Sequence, residues 1–136
     1  MNLTKPSDTT DVYWLFSKRE KREIGKYVQH TIRSGKWLIF CPFTTIDKTW
    51  NIIREATING KLGEVSKVST RRPNPNSRNP DIGVICVYTY DSDDMDDLME
   101  IRVSLRNLGF TQKLVYKTDQ ATREGKYGKG VTIYSS

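Results

Sequence analysis

The chain has 136 residues, enough for one domain around a single core and too few for two. Apolar residues make up 36% and charged residues 28%, so the core must be small, and a formal net charge of +6 favours anionic partners: nucleotides, nucleic acid or phosphoprotein. The sole histidine, His30, and two cysteines outside any Cys-x-x-Cys motif offer no recognisable zinc ligand set and point to no Ser-His-Asp type of triad; no metal and no cofactor is expected.

Residues 1–11 are polar, contain Pro6, and read as a loose lead-in to a single domain over 12–136. They lack the apolar stretch of a signal peptide, and no segment reaches membrane-spanning length. Val12-Tyr13-Trp14-Leu15-Phe16 predicts a strand, and Lys18 to Arg33, with Ile24, Tyr27, Val28 and Ile32 on one stripe, predicts a helix. His30 falls off that stripe and reads as a surface residue. Lys36 to Pro42 predicts a central strand, since five large or apolar residues run consecutively before the proline. Thr44 or Thr45 then caps a helix whose Ile46, Trp50, Ile53 and Ala56 recur at helical spacing, closed by Asn59-Gly60.

Leu62 to Thr70 alternates, so Val65 and Lys67 share one face of a strand and Ser66 and Val68 the other. The Pro-, Asn- and Arg-rich stretch 71–81 predicts a flexible loop, either a connector or a basic flap that closes on a ligand. Ile82 to Tyr90 is the most strand-like run. Asp91-Ser92 caps the following helix, which buries Met95, Leu98, Met99, Ile101, Leu105 and Leu108 and stops at Gly109. Gln112 to Lys117 and Gly130 to Tyr134 complete the strands. Cys41 and Cys86, each within an apolar run, read as free thiols of a reducing compartment, which predicts a soluble, intracellular, cytoplasmic protein. The fold class is α+β: a curved, largely antiparallel sheet with about three helices packed on one face, leaving the other for a ligand.

Cations cluster at the ends of the predicted strands. Residues 61–81 and 111–136 each hold five positive and two negative side chains. The stretch Tyr116 to Gly128 places Lys117, Arg123 and Lys126 among hydroxyls, tyrosines and glycines, which suits the grip of a phosphate. The candidate ligand-binding residues are Lys36, Trp37, Lys67, Ser69, Arg71, Arg72, Tyr88, Tyr116, Lys117, Thr122, Arg123, Lys126 and Tyr127, with Trp14 a further aromatic able to stack on a base. No Walker loop or dinucleotide glycine fingerprint is present, so nothing in the residues themselves demands an enzyme. The expected partner is a phosphorylated small molecule or nucleotide, or RNA, bound without turnover in a basic pocket; a phosphoryl-cleaving enzyme and a protein-interaction module are the alternatives.

Gly35-Lys36-Trp37-Leu38-Ile39-Phe40, Lys67-Val68-Ser69-Thr70, Val84 to Thr89, Tyr116-Lys117-Thr118-Asp119 and Thr122 to Tyr127 occur in an order that resembles the Bles03-like family. Tyr13-Trp14 and Thr132-Ile133-Tyr134-Ser135 extend the resemblance to about residues 12–136. It implies a fold like that of the cap-binding translation initiation factor. Similarity of the family to phosphothreonine lyases implies a base at Lys67, phosphate-binding residues at Lys117 and Lys126, and at Lys36 the lysine that precedes the acid. The acid histidine of such a lyase would fall on Leu38, which cannot donate a proton, so the resemblance carries the phosphate-binding residues and not the chemistry.

Overall fold

The two longest strands, Gly35–Pro42 and Ile82–Thr89, lie side by side in the middle of a single sheet. The computed structural model describes residues 4–20, 33–75, 79–119 and 134–136. Six strands are formed: β1 (Trp14–Lys18), β2 (Gly35–Pro42), β3 (Val65–Ser69), β4 (Ile82–Thr89), β5 (Val115–Thr118) and β6 (Tyr134–Ser135). Their spatial order is β1-β3-β4-β2-β5-β6, and every neighbouring pair is antiparallel. The sheet is therefore open, with β1 and β6 at its edges. Among the described residues two α-helices stand where about three were expected: α1 (Ile46–Ile58) and α2 (Met95–Asn107). The segment expected to supply the other, 18–33, falls mostly on residues 21–32, outside the described ones.

Both helices cover the same side. Ile46, Trp50, Ile53 and Ala56 of α1 and Leu98, Ile101 and Leu105 of α2 share one core with Trp37, Ile39, Val68, Ile85, Val87 and Tyr116 of the sheet. Each fully buried aliphatic side chain stabilises the fold by about 1.5–3 kcal/mol, and this single layer of contacts is the main source of stability. The alternation foreseen for β3 is observed: Ser66 and Val68 are buried toward the helices, while Val65 and Lys67 lie on the far face.

Three local expectations need correction. The lead-in is not loose: Pro6–Asp8 forms a 3-10 turn, with Pro6 buried and the Ser7 amide donating to the Asp47 carboxylate at 3.0 Å. That bond places Asp47 in service of the N-terminal segment as well as of its own helix. The cap of α2 is Asp94, whose carboxylate accepts from the Asp97 amide at 3.1 Å, rather than Asp91-Ser92. Asp91 is taken instead by a two-bond contact with the Arg33 guanidinium at 3.0 and 2.7 Å. Finally, Met95 and Met99 are exposed, and with Val103 they form an outward stripe along α2.

Beside Leu98, Ile101 and Leu105, the buried face of α2 includes Arg102. Its side chain is fully buried, and its guanidinium donates to the carbonyls of Ser136 (2.9 Å), Phe110 (2.9 Å) and Gln112 (2.7 Å). One planar fork thereby ties α2 to the turn that follows it and to the strand at the sheet edge. Gly109, with φ of +106°, makes that turn possible, because an L side chain is strained in this region.

Candidate functional site

Directly opposed residues of an antiparallel pair project from the same face, and the period along each strand is two. Lys36 is opposed to Tyr88 on one side and Lys117 on the other, and Lys67 to Cys86. Lys36, Lys67 and Lys117 thus leave three different strands on the face away from the helices. Tyr88 stands between two of them: the Lys36 ammonium lies 5.5 Å from its ring centroid and the Lys67 ammonium 5.7 Å. Lys67 also lies 3.8 Å above the Trp14 ring, a cation–π contact that holds it over the sheet.

The electrostatics report the same convergence. Burial lowers the proton affinity of Lys67, and the nearby Lys36 charge lowers it further. Lys117 is lowered for the same two reasons in the same order. Burial pushes the Cys86 thiol up to about 11, although Lys67, Lys36 and Lys117 each pull against that shift. Burial likewise raises the Tyr88 phenol, keeping it protonated. Lys36 and Lys117 are buried and Lys67 is half-buried, so Lys67 is the most accessible of the three.

Asp119 belongs to the cluster and was not singled out in the sequence. Its carboxylate accepts from the Lys36 ammonium at 2.9 Å and from the Ser34 hydroxyl, and its amide donates to the Ser34 carbonyl. Lys36 and Asp119 are 83 positions apart, and only the β2–β5 pairing brings them together.

Other expected site residues are placed elsewhere. Trp37 and Tyr116 lie on the helix-covered face, fully buried and edge-on to each other with centroids 5.2 Å apart. The Trp37 indole donates to the Leu98 carbonyl at 3.1 Å and the Tyr116 hydroxyl bonds Thr89 at 2.6 Å, so both are core residues that no ligand on the lysine face can touch. Ser69 accepts from the Val84 amide at 2.9 Å, tying β3 to β4. Arg71 packs its guanidinium over the Phe43 ring at 4.5 Å with Asp81 at 3.8 Å, and Arg72 covers Tyr13 at 4.5 Å while donating to the Asp11 carbonyl. These contacts hold the two arginines to the chain around the end of β3, and neither joins the lysine cluster. Thr122, Arg123, Lys126 and Tyr127 lie outside the described residues, as do 76–78 of the stretch expected to be a flexible loop. No group of metal-ligating side chains occurs among the described residues, and no helix there is long and apolar enough to cross a membrane.

Solved structures of cap-binding initiation factors superpose on this chain and share its fold. A C. elegans eIF4E-3, solved with the 4E-binding protein Mextli and a cap analog, matches with a TM-score of 0.59 at 16% identity, over 82% of this chain and 65% of that one. Schistosome eIF4E, solved with m7GpppA and 4E-BP, matches with 0.57 at 14%, over 76% and 59%. Ascaris suum eIF4E-3 with an m7G cap matches with 0.58 at 16%, over 90% and 67%. The chain spans less than two thirds of the first two proteins, and identities this low establish a common fold and nothing finer. By sequence, residues 16–123 match the family described as basophilic leukemia-expressed protein Bles03, and the chain belongs to that family.

Proposed function

We propose that this protein binds a phosphorylated ligand, a nucleotide or an RNA 5′ end, through the lysine cluster on the sheet face away from the helices. The carrying observation is that Lys36, Lys67 and Lys117, from three strands, meet around Tyr88 and Cys86. Three cations gathered around one carboxylate, Asp119, where water is partly excluded leave an excess of positive charge that costs free energy, and a further anion relieves that cost. A charge-assisted hydrogen bond to phosphate contributes about 1.5–3 kcal/mol, so loss of one lysine should weaken binding about tenfold or more. The cap nucleotides with which structural neighbours were solved support this ligand class. Free cysteines accord with a cytoplasmic setting for such a ligand.

Calorimetry with inorganic pyrophosphate, mononucleotides and a cap analogue tests the reading. Binding that Lys67→Ala weakens tenfold or more is the expected result, with the ligand recovered chemically unchanged. Silence toward every anion, or a Lys67→Ala variant that binds like the parent, overturns it. The lowered proton affinity of Lys67 favours one second reading, a phosphoryl-eliminating enzyme with Lys67 as base. Leu38, where that chemistry would want its acid, lies directly opposite Cys86 on the same face and has no proton to give. Mass spectrometry of a phosphothreonine peptide after incubation decides between them: loss of phosphoric acid supports the enzyme, and an unchanged mass supports binding.

A further inference from the structure

Two phenylalanines share the face of the lysine cluster and remain largely uncovered: Phe16 is 60% exposed and Phe40 61%. Their placement follows from the register. Phe16 is opposed to Lys67, Lys67 to Cys86, and Cys86 to Leu38, with Phe40 two residues beyond Leu38 on the same strand. Three strand spacings of about 4.8 Å and two residues of about 3.4 Å put the two positions roughly 16 Å apart. Stacked aromatic rings keep their centroids about 4.5–7 Å apart, so one base cannot be clamped between both. Each ring is a platform of its own. Trp14, the other aromatic side chain of β1 on this face, already carries the Lys67 ammonium on its ring.

We infer that the ligand of this face is a short single-stranded oligonucleotide, with one base stacked on Phe16, another on Phe40, and the intervening phosphate near Lys67. The inference rests on the phosphate-binding reading above and deepens it. Phosphates between flat apolar bases are what an aromatic–cation–aromatic surface complements, and bases of any identity can stack on an uncommitted ring. Among the described residues Lys67 has no carboxylate in ion-pair range; rings surround it instead.

The test measures the affinities of inorganic pyrophosphate, 5′-AMP and the dinucleotide pApA for the full chain and for Phe16→Ala and Phe40→Ala, with thermal melting to show that the variants fold. Both side chains are exposed, so folding should survive their removal. The dinucleotide should bind at least about fivefold more tightly than AMP, and each substitution should cost it about fivefold or more. Pyrophosphate affinity should stay within about twofold, since no base is present to stack. Should pApA bind no better than AMP, or the phenylalanine variants bind it like the parent while Lys67→Ala does not, the platforms are refuted and the phosphate seat stands. If neither pyrophosphate nor either nucleotide binds, both readings fall together.

Discussion

Replacing Arg102 by methionine should destabilise the fold more than any other single change to a charged side chain among the described residues. The guanidinium is fully buried and donates three hydrogen bonds to three main-chain carbonyls, at 2.7 to 2.9 Å. Each charge-assisted bond contributes about 1.5–3 kcal/mol, which summed naively gives about 4.5–9. Gln112 is exposed, and Phe110 and Ser136 are half-buried, so water can reach part of what the fork leaves behind. The expected loss is therefore about 3–5 kcal/mol, much of an ordinary domain's stability. Arg102→Lys should recover little, because an ammonium cannot reach three carbonyls in one plane. Arg106→Met supplies the control: its one described bond, a solvent-exposed one to the Ser136 hydroxyl at 3.0 Å, should be worth less than about 1 kcal/mol. Urea denaturation followed by tryptophan fluorescence measures all three. A loss below about 1 kcal/mol for Arg102→Met would mean that the three carbonyls are already served by solvent, and the account of this side chain would be wrong.

Glycines should fail for different reasons. A Cβ on Gly63 would sit 2.2 Å from the Tyr88 carbonyl oxygen, so Gly63→Ala should cost about 3 kcal/mol or more, whereas Gly109→Ala, with open space but a φ of +106°, should cost about 1–2; paired melts separate the two. On α2, Leu98→Ala should cost about 2–5 kcal/mol and Met99→Ala less than about 0.5, which tests which face is buried. Burial raises Cys41 and Cys86 from 9.0 to about 11, so their contribution to stability is fully present below pH 9 and is lost as pH rises through 11. Urea midpoints measured from pH 8 to 11 should fall over that range, and Cys86→Val should flatten the fall; a flat parental profile would refute it.

The sheet and α1 were legible because periodicity is a local property. Ile46, Trp50, Ile53 and Ala56 mark the buried stripe of α1, and Val65 and Lys67 the face of β3, without reference to any partner. On α2 the pattern holds for Leu98, Ile101 and Leu105 but not for Met95 and Met99, which resemble core residues, while Arg102, at an equally permitted helical position, is buried by carbonyls that only tertiary contacts bring to it. The same limit governs the site. Lysines at strand positions 36, 67 and 117 could be placed on one face, and the structure brings them together. Whether an aromatic neighbour on β2 or β5 faces ligand or core depends on a one-residue offset: Trp37 and Tyr116 adjoin Lys36 and Lys117, so they point the other way. Asp119 gave no signal, since its meaning lies in a residue 83 positions distant.

The lysines stand on β3, β2 and β5, with Tyr88 of β4 between the first two, so the cluster spans four consecutive strands of the sheet. No single hairpin of the sheet contains it, and it is broken as soon as any of those strands detaches. Occupancy would then be linked to melting of the entire domain rather than to the breathing of one segment. At a hundredfold excess over its dissociation constant, a ligand held there would add about 2.7 kcal/mol to the global transition, and the amides of all four strands would exchange more slowly together.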